Sequence, residues 1–131
     1  MMAVGVWEPE KREEKTVDTT LLKRFLAVDT ASGVISEGDL ESAGLASESG
    51  IMKLDTAAWR STEILQTEEI VGLIRFFTLV ESQIAGWDAG AKSPVIPLAK
   101  LLKEREEFTP ELRKWIKTTT DNRYLPYGSA L

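Results

Sequence analysis

The longest apolar segment of the chain lies near its middle. Between Ile70 and Val80 only a glycine, an arginine and a threonine interrupt the apolar side chains. A surface helix has an apolar stripe about 100° wide, whereas a helix over this segment is apolar nearly all round. Such a helix lies at the centre of a bundle or buries its remaining face against another chain. We therefore predict a central helix over residues 68–86.

Shorter segments with helical periodicity lie on both sides of this helix. Their starts carry capping residues: Asp18 or Thr19, Ser36 with Asp39 three positions later, and Thr109 before Pro110. Thr67 is the expected cap of the central helix. The predicted helices cover 18–28, 37–45 and 55–66, and two more begin at Pro97 and Pro110. The 55–66 helix either stands alone or continues into the central helix through a kink.

These elements predict an all-α fold of five or six helices, most of them short, around the central helix. Two apolar pairs, Val34–Ile35 and Val95–Ile96, allow at most a minimal two-stranded bridge. The charged segment 1–15 has little to bury apart from Trp7, so we expect a flexible N-terminal tail. Residues 16–131 then form a single helical domain.

Composition excludes several kinds of chemistry. The chain has no cysteine and no histidine, which removes disulfides, thiolate nucleophiles, His-based metal sites and Ser-His-Asp triads. An enzyme would depend on carboxylates, Lys, Tyr or Arg, and only oxygen-ligated ions such as Ca²⁺ or Mg²⁺ suit the chain. We expect no resident cofactor or metal.

Charge and hydropathy limit the partners. The net charge of −5 disfavours nucleic-acid binding. Residues 1–91 hold 8 Lys and Arg against 16 Asp and Glu, whereas residues 92–131 hold 8 against 5. The basic C-terminal part, residues 92–131, either attracts an acidic partner or docks on the acidic part of the same chain. We favour the second alternative. No apolar run spans a bilayer and the N-terminus does not read as a leader, so we expect a cytoplasmic protein with no membrane contact.

Two segments, around the loops 29–39 and 88–97, have the order helix, loop, short apolar pair, helix, which resembles the EF-hand arrangement. In the better copy, Ser32–Gly33 occupies the fifth and sixth loop positions and Ile35 the eighth. The first position is then Val28 instead of Asp, and the twelfth is Asp39 instead of Glu. The alternatives are a Ca²⁺ site, a metal-free pair of loops and an ordinary helical connection, and these departures favour the last.

Two regions carry candidate binding residues. In the loop after the central helix, which includes Asp88, a set of four residues could present backbone N–H groups and an ammonium to a small anion: Gly86, Gly90, Lys92 and Ser93. The glycine spacing is not that of a P-loop. At the C-terminal end, the segment 121–128, with Arg123, Tyr124 and Tyr127, has the composition of an interface and could bind an anionic ligand or an extended partner chain. The structural alternatives are a connecting loop and a tail packed on the core.

Among the carboxylates Glu63, Glu68, Glu69 and Glu81, only Glu81 falls within the apolar part of the central helix. Glu81 could therefore be a buried acid. We favour the alternative, in which its side chain is solvated or paired with an arginine.

Three functions remain open. The favoured hypothesis is a non-enzymatic interaction protein that binds a protein partner or forms a homodimer through the over-apolar helix. The second is a binder of a small anion or Ca²⁺ at one of the two loops. The third is a carboxylate-, Tyr- or Arg-based enzyme, which would need a concave pocket holding a buried acid with a perturbed pKa.

Overall fold

The computed structural model describes residues 16–122 and 124–126. Within them the chain forms α-helices and 3-10 helices and no strand, which confirms the predicted all-α fold. The predicted N-terminal tail, with Trp7, lies outside the described residues. The α-helices are α1 (Thr19–Leu26), α2 (Glu37–Ser42), α3 (Thr67–Gln83), α4 (Val95–Glu104) and α5 (Pro110–Thr119). The 3-10 helices are Ser49–Lys53, Thr56–Ile64 and Gly90–Lys92.

Helix α3 is the centre of the fold. It packs against α1, α4 and α5, and its apolar side chains are buried on most of its circumference. The face that the sequence left unassigned is therefore covered by the same chain. The fully buried apolar residues of α3 are Ile70, Leu73, Ile74, Phe76, Phe77, Leu79 and Val80.

An aromatic cluster joins the other elements to α3. The ring of Phe25 in α1 lies 4.9 Å from that of Phe76 and 5.5 Å from that of Phe77. Trp59, in the long 3-10 helix, meets Phe77 edge-on at 5.5 Å, and Trp87 meets Phe25 edge-on at 6.2 Å. Each such pair contributes about 0.5–1.5 kcal/mol beyond the burial of its surface. The cluster thus holds three separate segments on one helix.

Local capping chemistry starts several helices as predicted. Asp18 accepts a hydrogen bond from the Thr20 N–H at 2.9 Å. Ser36 and Asp39 form both bonds of a capping box, at 3.2 and 2.9 Å. The hydroxyl of Thr109 accepts from Leu112, with a proline in the first turn. Helix α3 differs from the prediction, because Gln66 and not Thr67 is its N-cap and forms a capping box with Glu69.

Helices α2 and α4 end in the same Schellman geometry. After α2, the Leu45 N–H donates to the Leu40 carbonyl at 2.8 Å, and Gly44 between them has a φ of 74°. After α4, the Glu107 N–H donates to the Leu102 carbonyl, also at 2.8 Å. The left-handed position there is occupied by Glu106, with a φ of 61°. Glycine is the usual residue at that position because it has no Cβ.

The prediction for the start of α4 was wrong. The helix begins at Val95, so the pair Val95–Ile96 is its first turn and not an extended segment, and Pro97 is its third residue. The first backbone N–H groups of a helix have no acceptor within it, so a proline there costs no hydrogen bond. The segment predicted as a helix over 55–66 forms a 3-10 helix, which covers Thr56–Ile64.

The other segment predicted for the bridge, Val34–Ile35, lies beside a side chain that binds its backbone. Gln83, the last residue of α3, accepts from the Ile35 N–H at 2.8 Å and donates to the Gly33 carbonyl at 2.9 Å. The segment 33–35 is thereby held against the end of α3, and no β-ladder forms with the start of α4 in the described part of the chain.

Candidate functional site

Glu81 is a buried carboxylate near the C-terminal end of α3. Its exposed fraction is 9%, so the expectation of a solvated or Arg-paired side chain was wrong. Its Oε1 accepts from the Asn122 side-chain amide at 3.0 Å, and its Oε2 accepts from the Ser93 hydroxyl. A hydrogen bond from the backbone of Ala89 also reaches the carboxyl group. Three neutral donors therefore satisfy the buried acid.

Both side-chain partners are fixed by their own local structure. The Ser93 hydroxyl accepts from the Val95 N–H at 3.2 Å, at the start of α4. The Asn122 amide donates to the Gly90 carbonyl as well as to Glu81, at 3.0 Å in each case. The Asn122 side-chain oxygen accepts from the Tyr124 N–H at 3.0 Å. The three segments around Glu81 are thus joined through one amide.

Burial raises the pKa of Glu81 above its ordinary value. The hydrogen bonds from Ser93, Asn122 and Ala89 act in the opposite direction because they favour the charged carboxylate. The nearby negative charge of Asp88 raises the pKa further. The removal of the carboxyl group from water is the largest of these effects.

Glu81 forms part of the wall of an open cleft of about 520 Å³, which we name the Glu81 cleft. Three of its lining residues carry carboxyl groups, and among the described lining residues none is basic. Oxygen acceptors therefore dominate its surface. The cleft is lined by Glu81, Ser82, Asp88, Gly90, Thr120, Asp121, Asn122 and Tyr124.

The structure separates the residues that the sequence grouped as binding candidates. Asp88 and Tyr124 line the Glu81 cleft, and buried Ser93 contacts it through its bond to Glu81. Lys92 lies outside the lining, and its Nζ pairs with Asp55 at 3.3 Å in an exposed ion pair. Arg123 and Tyr127 lie outside the described residues.

The loop that resembles an EF-hand uses its carboxylates for local turns. Asp29 accepts from the Ala31 N–H at 2.9 Å, and Asp39 accepts from the Ser36 N–H in the capping box. Within 16–122 and 124–126, no group of three acidic residues is placed to hold a metal ion, the set Glu63, Glu68, Glu69 and Glu81 included.

Asn122 belongs to the C-terminal segment with the composition of an interface, but its role as the donor to Glu81 was not predicted from the sequence. The burial of its partner, Glu81, could have been recognised from the sequence. Glu81 follows Ile70, Ile74 and Phe77 at spacings of eleven, seven and four, which places it on the same buried face of α3. An acid on that face requires a donor from another element. Asn122 has no comparable signal, because it lies 41 positions away.

Comparisons of the chain with family models, with curated proteins and with solved structures gave no match. None of the helices in the described residues has the length and apolarity needed to cross a bilayer.

Proposed function

We propose that this chain is a small non-enzymatic binding protein whose ligand occupies the Glu81 cleft. The observation that carries the proposal is the buried carboxyl group in the wall of that cleft. A concave surface with a few converging polar groups and a residue of perturbed pKa is the default candidate for a small-molecule site. Asp88 and Tyr124, both predicted as binding residues, contribute to the same surface.

The lining favours a ligand that donates hydrogen bonds. Asp88 and Asp121 offer exposed carboxyl oxygens to the cleft, beside the buried carboxyl of Glu81. An amine or an amino alcohol complements such a surface, because it supplies N–H or O–H donors and a positive charge. A small anion would face the charges of Asp88 and Asp121 without the help of Lys92, which pairs with Asp55.

Binding accounts for the geometry better than catalysis does. A general acid or base must reach the proton that it transfers. Both carboxyl oxygens of Glu81 are instead engaged by Ser93 and Asn122 of the same chain. These bonds hold the carboxyl in place as part of a rigid wall.

Thermal melts with a panel of alkyl amines, amino alcohols, carboxylates, phosphates, Ca²⁺ and EDTA test this function. A ligand at 100 times its Kd adds about 2.7 kcal/mol to the stability of the folded chain, which raises Tm by several degrees. We expect this shift with donor-bearing amines and its loss in the variant with both Asp88→Asn and Asp121→Asn. The control Lys92→Ala, outside the cleft, should keep it.

The outcomes separate the functions. No shift with any amine, or an equal shift in the double variant, would overturn binding in the Glu81 cleft. A phosphate-induced shift that Lys92→Ala abolishes would support the anion site predicted from the sequence. A Ca²⁺ shift that Asp29→Ala abolishes would support the loop site.

Self-association and a cytoplasmic location, both predicted from the sequence, stay predictions. The apolar helix that prompted the homodimer is covered within one chain. The large apolar or aromatic side chains exposed in the described part of the chain are Val34, Ile64 and Tyr124. They are the available contacts for a second copy or another protein partner.

A further inference from the structure

A second cleft lies between the 3-10 helix Thr56–Ile64 and helix α4. Its volume is about 210 Å³, and we name it the Trp59 cleft. Trp59 lines it from the 3-10 helix, and Lys100 and Glu104 line it from α4. The described linings of this cleft and of the Glu81 cleft have no residue in common. The two surfaces can therefore be tested independently.

The indole of Trp59 carries an unsatisfied donor. The side chain is 2% exposed, and its Nε1 is the buried side-chain nitrogen without a hydrogen-bond partner in the described structure. The buried side chains of Thr78, Glu81 and Ser93 all have partners. Buried donors without an acceptor are rare in folded proteins, because the donor has lost its bond to water. The Trp59 N–H therefore lacks an acceptor within residues 16–122 and 124–126.

We propose that the Trp59 cleft binds a small molecule through an acceptor oxygen, of a carboxylate or an amide carbonyl, that takes the hydrogen bond of Trp59 Nε1. The lining holds two basic residues, Arg60 and Lys100, and two acidic ones, Glu63 and Glu104. Lys100, on the opposite wall, is the ammonium group that we assign to the ligand. The cleft is smaller than the roughly 300–1,000 Å³ of sites for drug-sized ligands. The ligand is accordingly a molecule of a few heavy atoms or the end of a larger one.

Access to the buried N–H requires movement of the wall. Lys100 and Glu104 are exposed residues of α4 with long, flexible side chains. Ala57, also exposed, lines the cleft from the other side. We assign access to rotation of these long side chains, which needs no movement of the α4 backbone.

Two-dimensional ¹H–¹⁵N spectra of the folded chain test this proposal, because each tryptophan indole N–H gives its own signal. The chain has four tryptophans, and loss of one signal in Trp59→Phe identifies that of Trp59. Acetate and acetamide, each raised to about 10 mM, are the two probes; this is tenfold above a Kd of 1 mM. We expect a saturable downfield shift of the Trp59 signal, with the other indole signals unchanged.

The two probes distinguish the source of the oxygen. If the ligand is a carboxylate, acetate produces the shift and Lys100→Gln weakens its binding several-fold. If it is an amide carbonyl, acetamide produces the shift and Lys100→Gln leaves it unchanged.

A blocked cleft gives the second test, which does not depend on the folding of Trp59→Phe. Ala57→Leu places a larger side chain in the cleft and keeps the indole N–H. We expect it to abolish the shift, whereas Ala31→Leu, at an exposed alanine outside both clefts, retains it. No shift with either probe, or an equal shift in Ala57→Leu, would overturn the proposal.

Discussion

The side-chain amide of Asn122 donates to the carboxyl of Glu81 at 3.0 Å, although 41 positions separate the two residues. The bond joins the end of the central helix α3 to the segment that follows α5, the last α-helix. The same amide group holds the Gly90 carbonyl, so three distant parts of the chain meet at one side chain. Stability and the geometry of the Glu81 cleft therefore depend on the same contact.

Asn122→Ala removes the bonds to Glu81 and Gly90 and the acceptor of the Tyr124 N–H, and it leaves a buried carboxyl oxygen without its donor. We expect a loss of about 1–3 kcal/mol in the free energy of unfolding, measured by urea denaturation. Asn122→Asp also places a second carboxyl against Glu81. Its destabilisation should be larger near neutral pH than in acid, where one of the two carboxyl groups is protonated. An unchanged urea midpoint in both variants would show that the contact has no role in stability.

The raised pKa of Glu81 predicts a pH-dependent stability. Between the ordinary carboxyl pKa and the raised one, the folded chain holds a proton that the unfolded chain has lost. The stability linked to this proton is present at low pH and is lost as the pH rises through the raised pKa. Glu81→Gln removes the titration. We expect the stability of the variant relative to the natural chain to improve as the pH rises above about 4, and parallel curves would contradict this.

Glu106 occupies a left-handed position that suits glycine. Glu106→Gly relieves a backbone conformation that costs other residues about 1–2 kcal/mol, against a smaller loss from the flexibility of glycine in the unfolded chain. We expect a net gain of about 0.5–1 kcal/mol and a higher urea midpoint. Glu106→Ala is the control, because alanine keeps the Cβ and should give no gain. Equal effects of the two variants would assign any change to the lost glutamate charge.

At the equivalent position after α2, a substitution should change the stability in the opposite direction. Gly44 has a φ of 74°. A Cβ added there would lie 2.9 Å from the Arg24 guanidinium, which donates to the Gly44 carbonyl at 3.1 Å. Gly44→Ala should lower stability by about 1–2 kcal/mol. Gly50→Ala is the matched control, because nothing lies within 4 Å of its added Cβ. It should be neutral or stabilise by up to about 1 kcal/mol.

Self-association is checked by sedimentation equilibrium. The sequence predicts a homodimer, with a mass twice the 14.6 kDa of one chain. If Ile64, with 77% of its surface exposed, lies in the interface, Ile64→Glu should shift the mass toward that of one chain. A single-chain mass at high protein concentration would exclude the homodimer.

Features set by neighbours in the chain could be predicted from the sequence. Asp18, the Ser36–Asp39 pair and Thr109 cap their helices because the acceptor and the N–H groups lie within three positions. The apolar character of α3 likewise depends only on its own residues. These parts of the fold need no knowledge of the tertiary structure.

Features set by distant contacts could not be predicted. Val95 and Ile96 favour strands by propensity, but they enter the first turn of α4, where Val95 is buried. Glu81 is stabilised by Ser93 and Asn122, which lie 12 and 41 positions away. Its burial, and with it the cleft, follows from how α4 and the end of α5 pack against α3.

The pairing of Gln83 with the segment 33–35 has a consequence for protein engineering. Gln83 recognises an N–H and a carbonyl, groups that nearly every amino acid offers. The anchor therefore places no demand on the side chain of Val34, which is 65% exposed between the two contacts. This position should accept a spectroscopic label or a grafted side chain while the loop keeps its attachment to the central helix.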